Sequence, residues 1–377
     1  MRVLTAYFCF FFGVGILFFS SADAQEPLRV LILRDVPQFS IAGEELVLKD
    51  QTTGHLLFHN QKWSSITIER LPGARLRVRG SGISAPAFLL AAPRGSFAIN
   101  GRRFRDQIHI YPANAGSLSV INVLPMEDYL AGLVNWEISS QWPMEAVKAQ
   151  VVAARTYARF QKVTRQGELF DVEATTADQV YGGMDKEDFL SRKAVRETDG
   201  EMILYRGDPI FAVYHSCCGG KTESPENLWP GYFPYLKTME CSNCLGSPYF
   251  VWNYRVDGVR MRSSLNSMNS LGPRIVGLRL GQRSDSNRIL QVTVQGERDH
   301  LNLSGPDFRR LLGRDLLRST NFTVKEKDGV FLFAGLGWGH GAGLCQWGMK
   351  GMAENGENYR SILRHYYKNV TFGKFPR

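Results

Sequence analysis

The sequence predicts an α+β protein with one main body, because its hydrophobic periodicity changes twice along the chain. Residues 27–122 carry short runs in which apolar and polar residues alternate, a pattern typical of β-strands. From Met126 the apolar residues recur at spacings of three and four, which is typical of amphipathic helices, and alternation returns at about residues 275–335. We therefore expect an N-terminal β-rich part over residues 27–122. A core over residues 123–377, continuous with that part, would hold central helices and a mixed, loop-rich cleft.

The N-terminal alternation predicts strands that begin near Leu28 and recur up to about residue 111. The apolar–polar runs occupy residues 28–33, 64–68, 75–79 and 109–111, and glycines such as Gly73 and Gly101 separate runs. No catalytic pattern lies in this segment. We interpret it as a structural platform.

The central part of the chain predicts two consecutive helices. The first spans residues 126–138 and carries Leu130, Leu133 and Val134 on one face. The second begins after Pro143, which suits a first helical turn, and runs to about Phe160. Its opposite face should be polar, with Glu145, Lys148, Arg155 and Arg159. Shorter helices are expected near residues 308–317 and 359–367, and residues 175–254 should be mixed and loop-rich.

The first 24 residues have the pattern of a secretory signal peptide. Arg2 precedes an apolar run over residues 7–19, and Ala22 and Ala24 occupy the small-residue positions of a cleavage site before Gln25. An uncleaved N-terminal anchor is the alternative. Either interpretation predicts an exported protein, periplasmic or extracellular, whose bulk lies outside the cytoplasm. The net charge of +9 favours polyanionic partners, and export excludes nucleic acid.

Glu127 and Glu137 share the apolar face of the first predicted helix. A carboxyl group at a buried helix edge has a raised pKa and can act as a general acid, whereas an ion pair with Arg155 would make it structural. We favour the ion pair for Glu127, and both readings stay open for Glu137. Ten helical residues separate the two by about 15 Å. Glycosidases that use two carboxyl groups hold them at about 5–10 Å, so these two cannot share one glycosidic bond.

Two further segments could form a site. Residues 337–348 are rich in glycine and carry Trp338 and Trp347, whose rings can stack on sugars, together with His340 and Gln346. Near residue 215 a second group contains side chains that could bind Zn²⁺: His215, Cys218, Cys241 and Cys244. One or two disulfides would explain the same cysteines in an exported protein, so both interpretations remain open. Cys345 stands apart in the sequence.

Taken together, these segments resemble the SpoIID/LytB family. The matching stretches are residues 124–134, 136–143, 149–158, 178–183, 214–216 with 219–222, 337–348 and 365–367, in the family's order and over nearly the whole mature chain. Two departures are visible. The family's usual Glu-Met-Pro is here Glu137-Ile138-Ser139, and residues 174–178 lack the Cys and His with which some relatives bind zinc.

The resemblance implies a peptidoglycan lytic transglycosylase, a lyase that requires no cofactor. A structural Zn²⁺ ion would be bound only by the cysteine group near residue 215, where disulfides are the alternative. It would cut the bond between N-acetylmuramic acid and N-acetylglucosamine in strands stripped of stem peptides, leaving 1,6-anhydro ends. Glu137 matches the family's catalytic acid and base, and Glu127 a structural glutamate. Substrate contacts would come from Gln179, Tyr181, His215, Ser216, Trp338, His340, Gln346 and Trp347. The family also contains non-catalytic amidase enhancers, so the alternative is a wall-binding protein that stimulates a partner N-acetylmuramoyl-L-alanine amidase.

Overall fold

The structure is a computed structural model that describes residues 26–114, 116–265 and 269–374. The predicted signal peptide therefore lies outside the described residues. Within these ranges no helix has both the length and the apolar character needed to cross a membrane. The chain is a mixed α+β protein, as predicted.

Eight strands come first, and they occupy the segment predicted to be β-rich. Arg75 and Arg77 are exposed while Leu76 and Val78 between them are buried, so the observed burial follows the period of two seen in the sequence. The strands are β1 (Leu28–Val36), β2 (Gln38–Asp50), β3 (Leu56–Leu71), β4 (Arg75–Val78), β5 (Ser84–Ala85), β6 (Phe88–Ile99), β7 (Arg102–Pro112) and β8 (Leu118–Leu124).

These strands form one nine-stranded sheet in the order β5-β4-β3-β2-β6-β7-β8-β1-β9, where β9 is Val172–Glu173. Neighbours are antiparallel except for β1 and β9, which run parallel with Val30 opposite Val172. Only Pro125 separates β8 from the first helix. The sheet thus anchors the start of that helix on the main core.

Seven helices follow among the described residues: α1 (Met126–Glu137), α2 (Met144–Thr164), α3 (Phe189–Glu197), α4 (Gly258–Ser264), α5 (Gly305–Leu312), α6 (Gln346–Glu354) and α7 (Tyr359–Tyr366). The predictions of α1, α2 and α7 are confirmed, although α2 continues four residues beyond Phe160. The helix expected over residues 308–317 was placed wrongly. Ser304 caps its start by accepting a hydrogen bond from the Asp307 N–H, and Gly313, with φ 100°, ends it.

Helix α2 is the centre of the main core. Thirteen of its 21 residues are buried, so it is enclosed on most sides and has little solvated face. The prediction that Arg155 lies on a polar outer face was wrong, because its side chain is fully buried. Its guanidinium pairs with both carboxylate oxygens of Glu127, at 2.8 and 2.6 Å, and donates to the Glu201 carbonyl. A buried charge is tolerated there because its hydrogen bonds are satisfied.

Helix α3 was not anticipated within the segment expected to be loop-rich. Asp188 caps it by accepting from the Ser191 N–H, while the Ser191 hydroxyl accepts from the Asp188 N–H. The described part of the chain also forms short turns of 3₁₀ helix, at Pro225–Asn227, Ser242–Cys244 and Asn269–Leu271.

The remaining strands are β10 (Glu201–Tyr205), β11 (Asp208–Pro209), β12 (Tyr214–His215), β13 (Val251–Asp257), β14 (Ile275–Leu280), β15 (Gln291–Gly296), β16 (His300–Ser304), β17 (Phe322–Lys327), β18 (Val330–Leu336), β19 (Leu344–Cys345) and β20 (Thr371–Lys374). Residues 252–333 enclose a second hydrophobic core, built on the sheets β13-β18-β17 and β14-β15-β16. The two-stranded parallel pair β12-β19 sets Tyr214 opposite Leu344 and His215 opposite Cys345. This pair positions the candidate site.

Candidate functional site

Glu137 is the last residue of α1, and its side chain is half-buried. One carboxylate oxygen, Oε1, accepts a 2.6 Å hydrogen bond from the Val180 backbone N–H. The side chains of Tyr214 and Gln346 also hydrogen-bond to this carboxylate. Burial raises the pKa of Glu137 to about 7, against the opposing effect of these three hydrogen bonds. At neutral pH the carboxyl group is therefore close to half-protonated and can donate or accept a proton.

Glycines allow the segment with Val180 to lie directly on α1. A Cβ atom on Gly132 would stand 2.7 Å from the Gly183 carbonyl oxygen, and one on Gly182 would stand 2.2 Å from the Trp136 indole. Both distances are too short for any other residue. The two backbones therefore approach closely, which brings the Val180 N–H to the carboxylate at the end of the helix.

Gln179 sets the direction of the hydrogen bond from Tyr214. Its amide oxygen accepts from the Tyr129 hydroxyl at 3.1 Å, and its amide nitrogen donates to the Tyr214 hydroxyl oxygen at 2.9 Å. Because the Tyr214 oxygen already accepts from Gln179, its own proton is available for donation to Glu137. Gln179 thus supports the site from behind Tyr214.

Tyr181 lies in the interior. Its hydroxyl donates to the Asn122 side chain at 3.0 Å, and its ring packs 5.0 Å from that of Tyr129 and 6.0 Å from that of Phe104. The ring also blocks any side chain larger than Gly at position 132. The structure therefore gives Tyr181 contacts that pack α1 against its neighbours, while Gln346 and Tyr214 reach the carboxylate.

His215 and His340 pack edge to face, with ring centroids 5.3 Å apart. The Ala342 N–H donates to His340 Nδ1, so Nε2 carries the proton and donates to the Tyr214 carbonyl at 2.9 Å. Burial lowers the pKa of His340 to about 3 and that of His215 well below its usual value. Both rings are neutral at physiological pH, and they join β12 to the glycine-rich loop without contacting Glu137.

Four aromatic side chains form a continuous half-buried surface, which we call the aromatic row: Trp142, Trp347, Tyr249 and Trp338. Consecutive rings meet edge to face at centroid distances of 5.2, 6.2 and 4.8 Å. Flat rings that are partly exposed can stack on the apolar faces of sugars. Trp142 and Tyr249 were missed from the sequence, although Trp142 stands only five residues after Glu137. Ser216 is half-buried, and its carbonyl accepts from the Trp347 N–H.

The groups that set the pKa of Glu137 include, among the described residues, no second carboxylate. Two other acidic side chains on α1 and on the segment that contains Val180 form ion pairs away from Glu137. Glu127 pairs with Arg155, as predicted, and Asp178 pairs with Arg165 at 2.5 Å. The site therefore presents one proton-transfer group surrounded by hydrogen-bond donors.

The cysteines form a second cluster behind the site. The sulfurs of Cys218, Cys241, Cys244 and Cys345 lie within 4.8 Å of one another, and His215 is outside this group. None of these four is disulfide-bonded in the structure. Cys345 was missed because it is about a hundred positions away in the sequence, where it begins the Cys-Gln-Trp-Gly segment.

Comparison with known proteins agrees with the resemblance. Residues 114–205 match the family model described as "Stage II sporulation protein", and residues 235–343 match a domain of unknown function. A stage II sporulation protein D of Bacillus amyloliquefaciens is 32% identical over 273 residues, covering 67% of this chain and 75% of that protein. An uncharacterized protein of Brachyspira hyodysenteriae is 33% identical over 80% of both chains. The amidase enhancer of Bacillus subtilis is 30% identical over 65% of this chain, which spans 40% of the enhancer's length. The chain belongs to the SpoIID family.

Proposed function

We propose that this protein is a peptidoglycan lytic transglycosylase that cleaves bonds between N-acetylmuramic acid and N-acetylglucosamine. The observation that carries the proposal is the environment of Glu137, whose carboxyl group has a pKa near 7 and three hydrogen-bond donors around it. Family membership supports a role in the cell wall, since two relatives are named for sporulation and for enhancing an amidase. In this proposal the mature chain works outside the cytoplasm, where its substrate is.

The reaction requires one group that first donates and then accepts a proton. Glu137 donates its proton to the bridging oxygen as the bond from C1 of the muramyl sugar to that oxygen breaks. The resulting carboxylate then accepts the proton of the muramyl C6 hydroxyl, whose oxygen bonds to C1. The products are a 1,6-anhydro end and a new N-acetylglucosamine end, and the carboxyl group regains its starting state.

A pKa near 7 suits both halves of this cycle. A carboxyl group with a much lower pKa would already be ionised before the glycosidic oxygen arrives, and one with a much higher pKa would not release its proton to that oxygen. The donors from Val180, Tyr214 and Gln346 stabilise the carboxylate while it waits for the C6 proton. Hydrolysis by inversion or retention would need a second carboxyl group within about 10 Å.

The aromatic row supplies a binding surface for the glycan on either side of the scissile bond. Trp347, an inner member of the row, follows Gln346, which hydrogen-bonds to Glu137, so the row passes beside the proton-transfer group. Lys350 and Arg318 lie 5.2 and 4.8 Å from the rings of Trp347 and Trp338. Cations beside the row suit the lactyl carboxylates of muramyl residues from which stem peptides have been removed.

The test is to incubate the mature chain with purified glycan strands, intact and stripped of stem peptides, and to identify the products by mass spectrometry. We expect anhydromuramyl ends from the stripped strands, and a loss of at least about 100-fold in Glu137→Gln, as is typical when an acid–base group is removed. Glu357→Gln changes the same charge at an exposed position and is the control. Reducing ends that contain added water would refute the transglycosylase mechanism.

A second function is supported by the relative named an amidase enhancer. A protein with the same aromatic row could bind stripped or unstripped strands and stimulate an amidase without cutting sugars. Mixing the chain with an N-acetylmuramoyl-L-alanine amidase separates the two: the enhancer gives faster release of stem peptides and no anhydro ends. Glu137→Gln should then stimulate as well as the native chain.

A further inference from the structure

Four thiols from three separate parts of the chain meet at one point in the core. Cys218 follows β12, Cys241 immediately precedes the 3₁₀ turn at Ser242–Cys244 and Cys244 ends that turn, and Cys345 ends β19. All four side chains are at most 1% exposed. Their sulfurs lie within 4.8 Å of one another, and those of Cys218 and Cys244 are 3.5 Å apart.

We propose that Cys218, Cys241, Cys244 and Cys345 bind one structural Zn²⁺ ion as a closed tetrathiolate site. In a tetrahedral site with Zn–S bonds of about 2.3 Å, neighbouring sulfurs are about 3.8 Å apart. The four sulfurs of this cluster lie at that scale. In an iron–sulfur cluster the four cysteines are distributed over two or four irons, so their sulfurs as a group lie further apart than around a single ion.

The surrounding groups are arranged to stabilise thiolates. Cys345 caps the start of α6, and its sulfur accepts 3.3 Å hydrogen bonds from the N–H groups of Gly348 and Cys218. The Tyr366 hydroxyl lies 3.2 Å from the sulfur of Cys241. A Cβ atom at Gly348 would stand 2.6 Å from that same sulfur, so only glycine permits the approach. Backbone donors at a helix start favour an anionic sulfur.

A buried cation beside the cluster also favours thiolates over neutral thiols. Arg288 is 1% exposed, and one of its nitrogens donates to the Cys218 carbonyl at 2.8 Å. Its Nε and Nη1 atoms have no hydrogen-bond partner in the described part of the chain. The buried carboxylate of Glu223 attracts this guanidinium, but its Oε2 atom accepts hydrogen bonds from Ser284 and Ser286, and neutral thiols add no charge to balance the arginine. A zinc tetrathiolate carries a net charge of −2 and would stabilise the guanidinium further.

The ion would hold together the elements that shape the candidate site. Cys218 lies four residues after Tyr214, and Cys345 immediately precedes Gln346. Tyr214 and Gln346 both hydrogen-bond to Glu137. Four thiolate ligands leave no open coordination position, so the ion's role is to cross-link these segments rather than to contact substrate.

The test is elemental analysis of the full mature chain, purified without chelators, together with its mass under non-reducing conditions. We expect one zinc per chain and free-thiol mass after the metal is removed in acid. Cys241→Ser and Cys345→Ser should lose the zinc. Cys217→Ser is the matched control, because it removes a buried neighbouring thiol that lies outside the group of four, and it should keep one zinc.

The proposal is wrong if the protein is metal-free and its mass is lower by the hydrogens that disulfide formation removes. It is also wrong if the protein contains iron in place of zinc, or if Cys217→Ser loses the zinc. If a serine variant fails to fold, reconstitution of the native chain with Co²⁺ decides the question. A tetrahedral thiolate site gives intense visible absorption bands with Co²⁺, and their absence would refute the site. Chelation should also lower the unfolding temperature, whether or not the chain cleaves glycan.

Discussion

Removal of the Tyr214 hydroxyl should raise the pKa of Glu137. In Tyr214→Phe the carboxylate keeps its burial and its bonds from Val180 and Gln346 but loses one donor. A hydrogen bond to a charged group contributes about 1.5–3 kcal/mol, and one pKa unit corresponds to about 1.4 kcal/mol. The expected shift is thus about 1–2 units upward from the value of about 7.

The sign follows from which form the hydroxyl stabilises. Tyr214 donates its proton, so it favours the ionised carboxylate, and its removal favours the protonated form. If Glu137 must be protonated to attack the glycan, the alkaline limb of the pH profile of kcat/KM should move to higher pH. Direct titration of the labelled carboxyl carbon by NMR should show the same shift without any assay of activity.

Tyr205→Phe is the matched control, because it removes the same group at a half-buried position at the end of β10. It should leave both the titration and the pH profile unchanged. An unaltered or lowered pKa of Glu137 in Tyr214→Phe would refute the reasoning, since it would mean that the hydroxyl does not donate to the carboxylate.

Three further substitutions follow from the same contacts. Because the pKa of Glu137 is raised on folding, the fold loses stability as pH rises from about 4.5 to about 7. Glu137→Gln should therefore raise the free energy of unfolding, measured in urea, by about 1–3 kcal/mol at pH 8 and leave it unchanged at pH 4. Equal effects at both pH values would contradict this. Glu127→Gln leaves its fully buried arginine partner unpaired and should cost about 3–5 kcal/mol, whereas Glu354→Gln, in an exposed pair, should cost under about 1 kcal/mol by the same measurement. The new Cβ atom of Gly182→Ala would stand 2.2 Å from the Trp136 indole, so this substitution should lower the free energy of unfolding by about 1–3 kcal/mol and reduce glycan cleavage. Gly82→Ala, which has open space around it, should change neither. A fully active Gly182→Ala would show that the close approach is unnecessary.

Local patterning was sufficient for most of the secondary structure. The alternation before residue 122 became eight strands, and the three-and-four spacing after Met126 became α1 and α2. Such predictions succeed because a strand or helix that buries one face must repeat its apolar residues with the period of its backbone. Helix α3 was missed because it is only nine residues long within a segment expected to be loop-rich, although Asp188 and Ser191 form a capping box at its start and the buried Ser191, Ala194 and Val195 share one face.

The same patterning was less informative for buried charge. Arg155 has the spacing of a solvated helix face, yet it is enclosed, because α2 is covered on several sides and Glu127 meets the guanidinium there. Amphipathic spacing identifies one buried face but does not say whether a second element covers the other. The carboxylate of Glu137 could be picked out from its helix position, whereas its three donors come from residues 43, 77 and 209 positions later.

The amino-acid sequence alone could therefore identify the element types, the carboxylate on the apolar edge of α1 and the family that these segments resemble. Which side chains surround that carboxylate was decided by the tertiary structure, through the glycine contact that brings Val180 to α1 and the parallel pair of β12 with β19. The cysteine cluster has the same origin, since Cys345 joins Cys218, Cys241 and Cys244 only after β19 pairs. Periodicity reports the environment along one element, while a site depends on distances between elements, and these exist only once the chain has folded.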